Sequence, residues 1–215
     1  MASYLDDWGT RVDTLRFTQP HDRLEVYATA TVETQEPVRP THRIAAEVDD
    51  DVVALAQAVN DHVAGFDYRG GVTEVGSRVE AVLAAGGGVC QDFAYLSIAL
   101  LRELGVPARY VSGYLFTVDD ATGADTALDE VEVETHAWIE AAIPGWGWFA
   151  LDPTNAQHVT ERHVTIGRGR DYVDVAPLRG VFVGDQRHEL EVSVSMRRLA
   201  LAPLGDQSGG RAMQQ

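Results

Sequence analysis

The segment from Phe93 to Leu104 dictates much of what the rest of the chain must do. Its apolar residues (Phe93, Ala94, Leu96, Ile98, Ala99, Leu100 and Leu101) surround a helical projection instead of forming one stripe. A helix of that kind has little face to offer solvent, so the remaining elements have to enclose it. Gly105 and Pro107 stop it, and Gly86, Gly87 and Gly88 precede it. Cys90 lies between those glycines and the helix. At that position the unpaired N–H groups and the positive end of the helix dipole favour a thiolate. The Cys90 N–H is also placed to receive the oxyanion of a tetrahedral intermediate. Glycines read as a flexible lead-in keep side chains away from the sulfur. A buried small hydrophobe is the competing reading of the same cysteine.

Cys90 is the one cysteine among 215 residues, which rules out an intrachain disulfide and a thiolate-rich zinc site. The start, Met1 to Trp8, has neither a basic opening nor an apolar run of the kind a signal peptide carries. No stretch reaches the roughly 20 apolar residues of a membrane span. The expected location is therefore the cytoplasm, where a free thiol stays reduced. The net charge of −16 disfavours nucleic acid and anionic membrane surfaces as partners; it is compatible with neutral or basic substrates, and it also reads simply as charge that keeps the chain in solution.

Periodicity gives the order of elements. Leu24, Val26, Ala28, Ala30 and Val32 alternate with Tyr27, Thr29 and Thr31, which predicts a half-buried strand. Pro37 and Pro40 read as a linker. Asp49–Asp51 open a helix carrying Val52, Val53, Leu55, Ala56, Val59 and Val63. Ser77-Arg78-Val79-Glu80 has the form of a capping box for a short helix ending at the glycines. Strands are expected over 108–116, 133–143, from the Pro144–Gly147 turn to Asp152, and over 189–196. An acidic loop around Asp119, Asp120, Asp129 and Glu130 precedes the second of these; it reads as a solvated loop or as a selector of basic substrates. Helices first and antiparallel strands afterwards indicate an α+β fold. Residues 1–40 read as a partial β-rich region, 41–200 as the core and 201–215 as a polar, frayed tail.

In the strand after the acidic loop, Val133, Thr135, Ala137, Ile139 and Ala141 share one face; Glu134, His136, Trp138 and Glu140 share the other. Asp152 ends the next strand, before Pro153. A hairpin centred on Pro144 brings His136 and Asp152 together to within a residue or two of register. A carboxylate so placed holds the imidazole tautomer while the other ring nitrogen faces Cys90. The other histidines have no comparable setting. His158 and His163 have a spacing that could suit a metal, but no carboxylate at helical spacing completes a site, so neither a metal nor a cofactor is expected.

Gly88-Val89-Cys90-Gln91-Asp92-Phe93-Ala94 and Leu104-Gly105-Val106-Pro107-Ala108-Arg109-Tyr110-Val111-Ser112-Gly113-Tyr114 resemble the nucleophile helix and following strand of the bacterial transglutaminase-like superfamily, which includes cysteine-protease-like proteins. Thr135-His136-Ala137-Trp138 and Leu151-Asp152-Pro153-Thr154-Asn155 resemble its His and Asp blocks. Gly169-Arg170-Asp171-Tyr172, with Asp174 and Pro177–Gly180, resembles its terminal block. The resemblance runs in order from about Phe66 to Val194. It implies a papain-like core with Cys90, His136 and Asp152 as the triad. The β-rich region before the core is shorter than in relatives, which suggests either an edge available to a second copy of the chain or a sequence that is part of a longer one. Tyr95 stands where many relatives have His.

The reaction this implies is acyl transfer on an amide or peptide bond through a thioester at Cys90, completed by water. Completion by an amine, as in a protein-glutamine transglutaminase, and a non-catalytic scaffold that keeps the fold are the alternatives. Gln91, Tyr114, Trp138 and Trp146 are candidates for lining the substrate cleft.

Overall fold

The structure is a computed structural model that describes residues 2–40, 48–74, 76–117, 130–184, 189 and 191–199. The expected tail 201–215, and Asp119, Asp120 and Asp129 of the expected acidic loop, lie outside the described residues. At the start, β1 (Ala2–Leu5) and β2 (Arg11–Thr14) pair antiparallel as a two-stranded sheet of their own. The turn between them is held by the Asp6 carboxylate, which accepts from the N–H groups of Trp8 (2.9 Å) and Thr10 (2.8 Å).

The strand expected over 24–32 does not form: residues 15–40 have no strand, and Leu24, Val26 and Val32 are exposed. The alternation there is real, but a strand exists only against a ladder partner, and no described strand of this chain pairs with it.

The helix α1 (Asp50–Ala64) starts at Asp49, whose side chain accepts from the Val52 N–H. Its buried residues Val53, Ala56, Val59 and Val63 join the main core. A short strand, β3 (Asp67–Tyr68), follows, and then α2 (Val79–Ala85). The anticipated capping box at Ser77 is absent. Arg78 occupies the N-cap position, and the Ser77 hydroxyl instead accepts from the Glu74 N–H at 2.8 Å. The glycines are not a flexible lead-in either. Gly86 ends α2 in the left-handed conformation (φ 67°), and β4 (Gly87–Gly88) is buried and pairs parallel with β3.

The apolar segment forms α3 (Cys90–Glu103). Phe93, Leu96, Ile98 and Leu101 are buried, while Ala99 on the far side is exposed. Packed against it are β5 (Ala108–Leu115) and, beyond β6 (Glu130–Glu132), β7 (Thr135–Ile143). Next come β8 (Gly147–Asp152), β9 (Gln157–His158), β10 (His163–Gly169), α4 (Tyr172–Val175) and β11 (Ser195–Arg197). The central sheet has five antiparallel strands in the order β10-β5-β7-β8-β9. The strand anticipated over 189–196 shrinks to β11, which pairs with β6 outside the central sheet.

One face of the sheet meets α3, with α1 stacked on α3; this is the main core. The opposite face, which carries His136, Trp138 and Glu140, holds a second small core of Val111, Trp138 and Val159. Glu140 on that face is buried as well, and it takes ion pairs from Arg109 (2.5 Å) and Arg168 (3.1 Å). The chain folds as α+β, with the helix that begins at Cys90 packed on one face of an antiparallel sheet.

Candidate active site

Cys90 is the first residue of α3, and its position is fixed from the N-terminal side. Asp92 accepts from the Val89 N–H (2.9 Å) and from the Thr73 hydroxyl (2.5 Å), tying the helix start to the preceding chain. Gly88 has to be glycine, because a Cβ there would sit 2.5 Å from the Asp92 carboxylate. The first intrahelical bond runs from the Phe93 N–H to the Val89 carbonyl (3.1 Å). The N–H of Cys90 therefore has no acceptor within the helix.

His136, second in β7, lies across from Gly113 of β5. The β7–β8 register pairs Ile139 with Leu151 and Ile143 with Gly147. Continued by one pair, it sets Asp152 across from Trp138, two residues short of His136 and on the same face. That stagger suits a diagonal side-chain contact, and the His136 Nε2 to Asp152 Oδ2 distance is 2.9 Å. With Nε2 turned to Asp152, Nδ1 is left for Cys90, one of the groups that raise the pKa of the imidazole.

Asp152 is fully buried and gathers donors on both oxygens. Oδ1 accepts from the N–H groups of Thr154 (3.1 Å) and Asn155 (3.3 Å). Oδ2 accepts from His136, from the Asn155 amide (2.7 Å) and from His163 Nε2 (3.2 Å). Burial alone would raise its pKa; the hydrogen bonds from His136 and His163 and the nearby charge of His136 outweigh it and hold the carboxyl well below the usual range. The same balance operates at His136. Burial disfavours its charge, but the hydrogen bonds to Asp152 and Cys90 prevail and push the imidazole up to about 9.

His163 and Asn155 belong to this cluster although the sequence pattern gave them no role. Asn155 sits in the Leu151–Asn155 block, where its spacing from Asp152 is visible. His163 has no local signal: it opens β10, whose Gly167 and Gly169 obscure the strand pattern. His136, Asp152 and His163 offer ligand atoms within 4.8 Å of one another. The hydrogen bonding argues against a metal there. His163 Nδ1 accepts from the Thr160 N–H (3.1 Å), so the ring proton occupies Nε2, the nitrogen a cation beside Asp152 would need free.

The cleft candidates divide. Gln91 follows Cys90 at the helix start and is 9% exposed. Tyr114, half-buried, lies across from Thr135, one pair from His136. Trp138 is not a cleft residue: it is 1% exposed and fills the second core beneath His163. Trp146 is not one either. It packs on the main core from the β7–β8 turn, at the end of the hairpin away from His136. Trp148 is 44% exposed, with the Arg109 guanidinium stacked on its ring at 3.9 Å. Two tyrosines that periodicity missed stand near the sulfur. Burial and then negative charge at Cys90 raise the pKa values of Tyr68 and Tyr110. Tyr95, in the position where relatives carry His, accepts from the Tyr172 N–H and so links α3 to α4.

Comparison with known proteins agrees with this geometry. Residues 40–153 match the family model described as the transglutaminase-like superfamily. An uncharacterized protein of Mycobacterium leprae is 37% identical, over 92% of this chain and 81% of its own length. An uncharacterized protein of Mycobacterium tuberculosis is 46% identical over 61% of this chain and 42% of its own length. A protein-glutamine gamma-glutamyltransferase of Pseudomonas aeruginosa is 28% identical over 74% of this chain and 25% of its own length. A helix-start cysteine beside a sheet-borne His–Asp pair, together with the extent of these matches, identifies the chain as a member of the transglutaminase-like superfamily.

Proposed function

We propose that the protein is a cysteine-dependent acyl-transfer enzyme acting on amide or peptide bonds, with Cys90 as nucleophile, His136 as acid–base and Asp152 as the group that orients and charges the imidazole. The observation that carries this reading is the 2.9 Å contact between His136 Nε2 and the buried Asp152 carboxylate, with Cys90 among the groups that raise the pKa of the same imidazole. With its pKa at about 9, His136 is an imidazolium at neutral pH and stabilises negative charge on the sulfur beside it. The thiolate attacks the carbonyl carbon, and the free Cys90 N–H faces the developing oxyanion. As the C–N bond breaks, the amine leaves with the proton from His136, and the acyl group remains as a thioester. Water then gives a proton to His136 and adds to the thioester carbonyl. The C–S bond breaks, releasing the acid and restoring the thiolate–imidazolium pair.

Hydrolysis is the favoured completion, because water is always present and no dedicated amine site is evident beside Cys90 among the described residues. The likeness to a protein-glutamine gamma-glutamyltransferase supports amine interception as the second reading. A peptide or protein substrate and a cytoplasmic location belong to the same proposal; no helix among the described residues is long and apolar enough to cross a membrane. Pairing of two copies through residues 15–40 is suggested by exposed Leu24, Val26 and Tyr27; a monomer by light scattering would end that idea. Intact-mass trapping tests the chemistry. A peptide mixture should leave an acyl adduct on Cys90 that decays in water, and faster decay with amine incorporation would favour transamidation. Absence of any adduct, in the presence of a reactive acyl donor, would contradict the reading.

A further inference from the structure

We infer that His163 is a positioning residue for the His136–Asp152 pair: a neutral imidazole that donates its Nε2 proton to Asp152 and draws part of the carboxylate's charge away from His136. The inference deepens the acyl-transfer proposal and rests on it for its catalytic meaning.

The placement of His163 is over-determined. Its side chain is fully buried, and its ring stands edge-on to Trp138 at 5.2 Å and 6.0 Å from the His136 ring. The Thr160 N–H donates to Nδ1 at 3.1 Å, and the Thr160 hydroxyl lies 3.3 Å from the same nitrogen. The strand start is pinned by the bond from the Phe116 N–H to the Arg162 carbonyl (2.9 Å). A backbone donor at Nδ1 leaves the ring proton on Nε2, aimed at Asp152 Oδ2 at 3.2 Å. A space-filling ring would need neither bond; both orient a donor at the atom that also receives His136.

The consequence lies at His136. It faces Cys90 from α3, Asp152 from β8 and His163 from β10, and the Asn155 amide approaches its Nε2 at 3.5 Å. A carboxylate oxygen shared among several donors attracts a proton on any one of them less strongly. The hydrogen bond from His163 is one of the interactions that keep Asp152 ionised. Forming the thioester calls for a charged His136, whereas activating water calls for a neutral one. By taking a share of Oδ2, His163 keeps the imidazole's proton affinity from rising to where the second step stalls.

Long-range proton–nitrogen NMR of the 15N-labelled full chain reads this directly and needs no substrate. Wild-type His163 should show the Nε2–H tautomer at pH 7.5. In His163→Phe the His136 titration midpoint should rise by about half a pH unit, roughly threefold in proton affinity. His163→Gln, which keeps an N–H donor, should return it toward the wild-type value. An Nδ1–H tautomer in the wild type would overturn the inference. So would an unmoved or lowered midpoint in a His163→Phe protein with a native-like amide spectrum. Should that variant not fold, the wild-type tautomer and the His163→Gln midpoint decide the matter. An unreactive Cys90 would instead end the acyl-transfer reading, and the effect of His163 on His136 would still register.

Discussion

Asp152 concentrates the chemistry of the cluster in one buried side chain, and an amide in its place meets two separate penalties. In Asp152→Asn the charge that holds His136 protonated is gone, and the ring is free to take the wrong tautomer; turnover should fall by roughly 10³- to 10⁴-fold. Stability should fall too. Every donor now aimed at Asp152 points at an oxygen, and an amide NH2 on either side meets donors instead. Each donor left unmet costs about 1–3 kcal/mol, so a lowered melting temperature should accompany the lost activity. Full turnover with an unchanged melting temperature would remove Asp152 from its assigned part.

The glycines before Cys90 act as a strand and not as a hinge. Gly87 and Gly88 pair with Asp67 and Tyr68, and both would clash on gaining a Cβ, Gly87 with the Asp67 carbonyl at 2.2 Å and Gly88 with the Asp92 carboxylate. Gly88→Ala should therefore displace Asp92, release its bond to the Val89 N–H and slow alkylation of Cys90 at least several-fold. An alkylation rate equal to wild type would show that the sulfur does not depend on this packing. The elements differ in how far the sequence exposes them. The helix at Cys90 was legible because its apolar residues surround it, and the β7–β8 hairpin because alternation and the Pro144 turn fix its register. The strand over 24–32 was misread because alternation reports a buried face without naming a ladder partner. The second core does not show in the pattern because Glu134, His136 and Glu140 share the face of Trp138, although Val111 and Val159 pack against it and Arg109 and Arg168 pair with Glu140. His163 carries no such signal because its bond to Asp152 comes from tertiary structure.

At the level of the whole molecule, the His136–Asp152 pair makes folding stability depend on pH. The pKa of His136 rises from 6.5 to about 9 in the folded protein, so its contribution is fully present below about pH 6.5 and is lost as pH rises through 9. The Asp152 carboxyl shifts the other way; its contribution is present above its unfolded value of 3.8 and is lost as pH falls toward its lowered folded value. Denaturant melts should thus give highest stability from this pair between about pH 4 and 6.5, with a decline between 6.5 and 9. That decline should vanish in His136→Phe; its persistence there would place the titrating group elsewhere.

The measurement that bears most directly on the account is the rate of Cys90 alkylation by iodoacetamide at pH 6, in the wild type and in His136→Ala. A thiolate held by the His136 imidazolium should react far faster than free cysteine at that pH, and His136→Ala should bring the rate down toward the free-thiol value. A wild-type rate no faster than free cysteine, or one unaffected by the loss of His136, would contradict the assignment of Cys90 as an activated nucleophile.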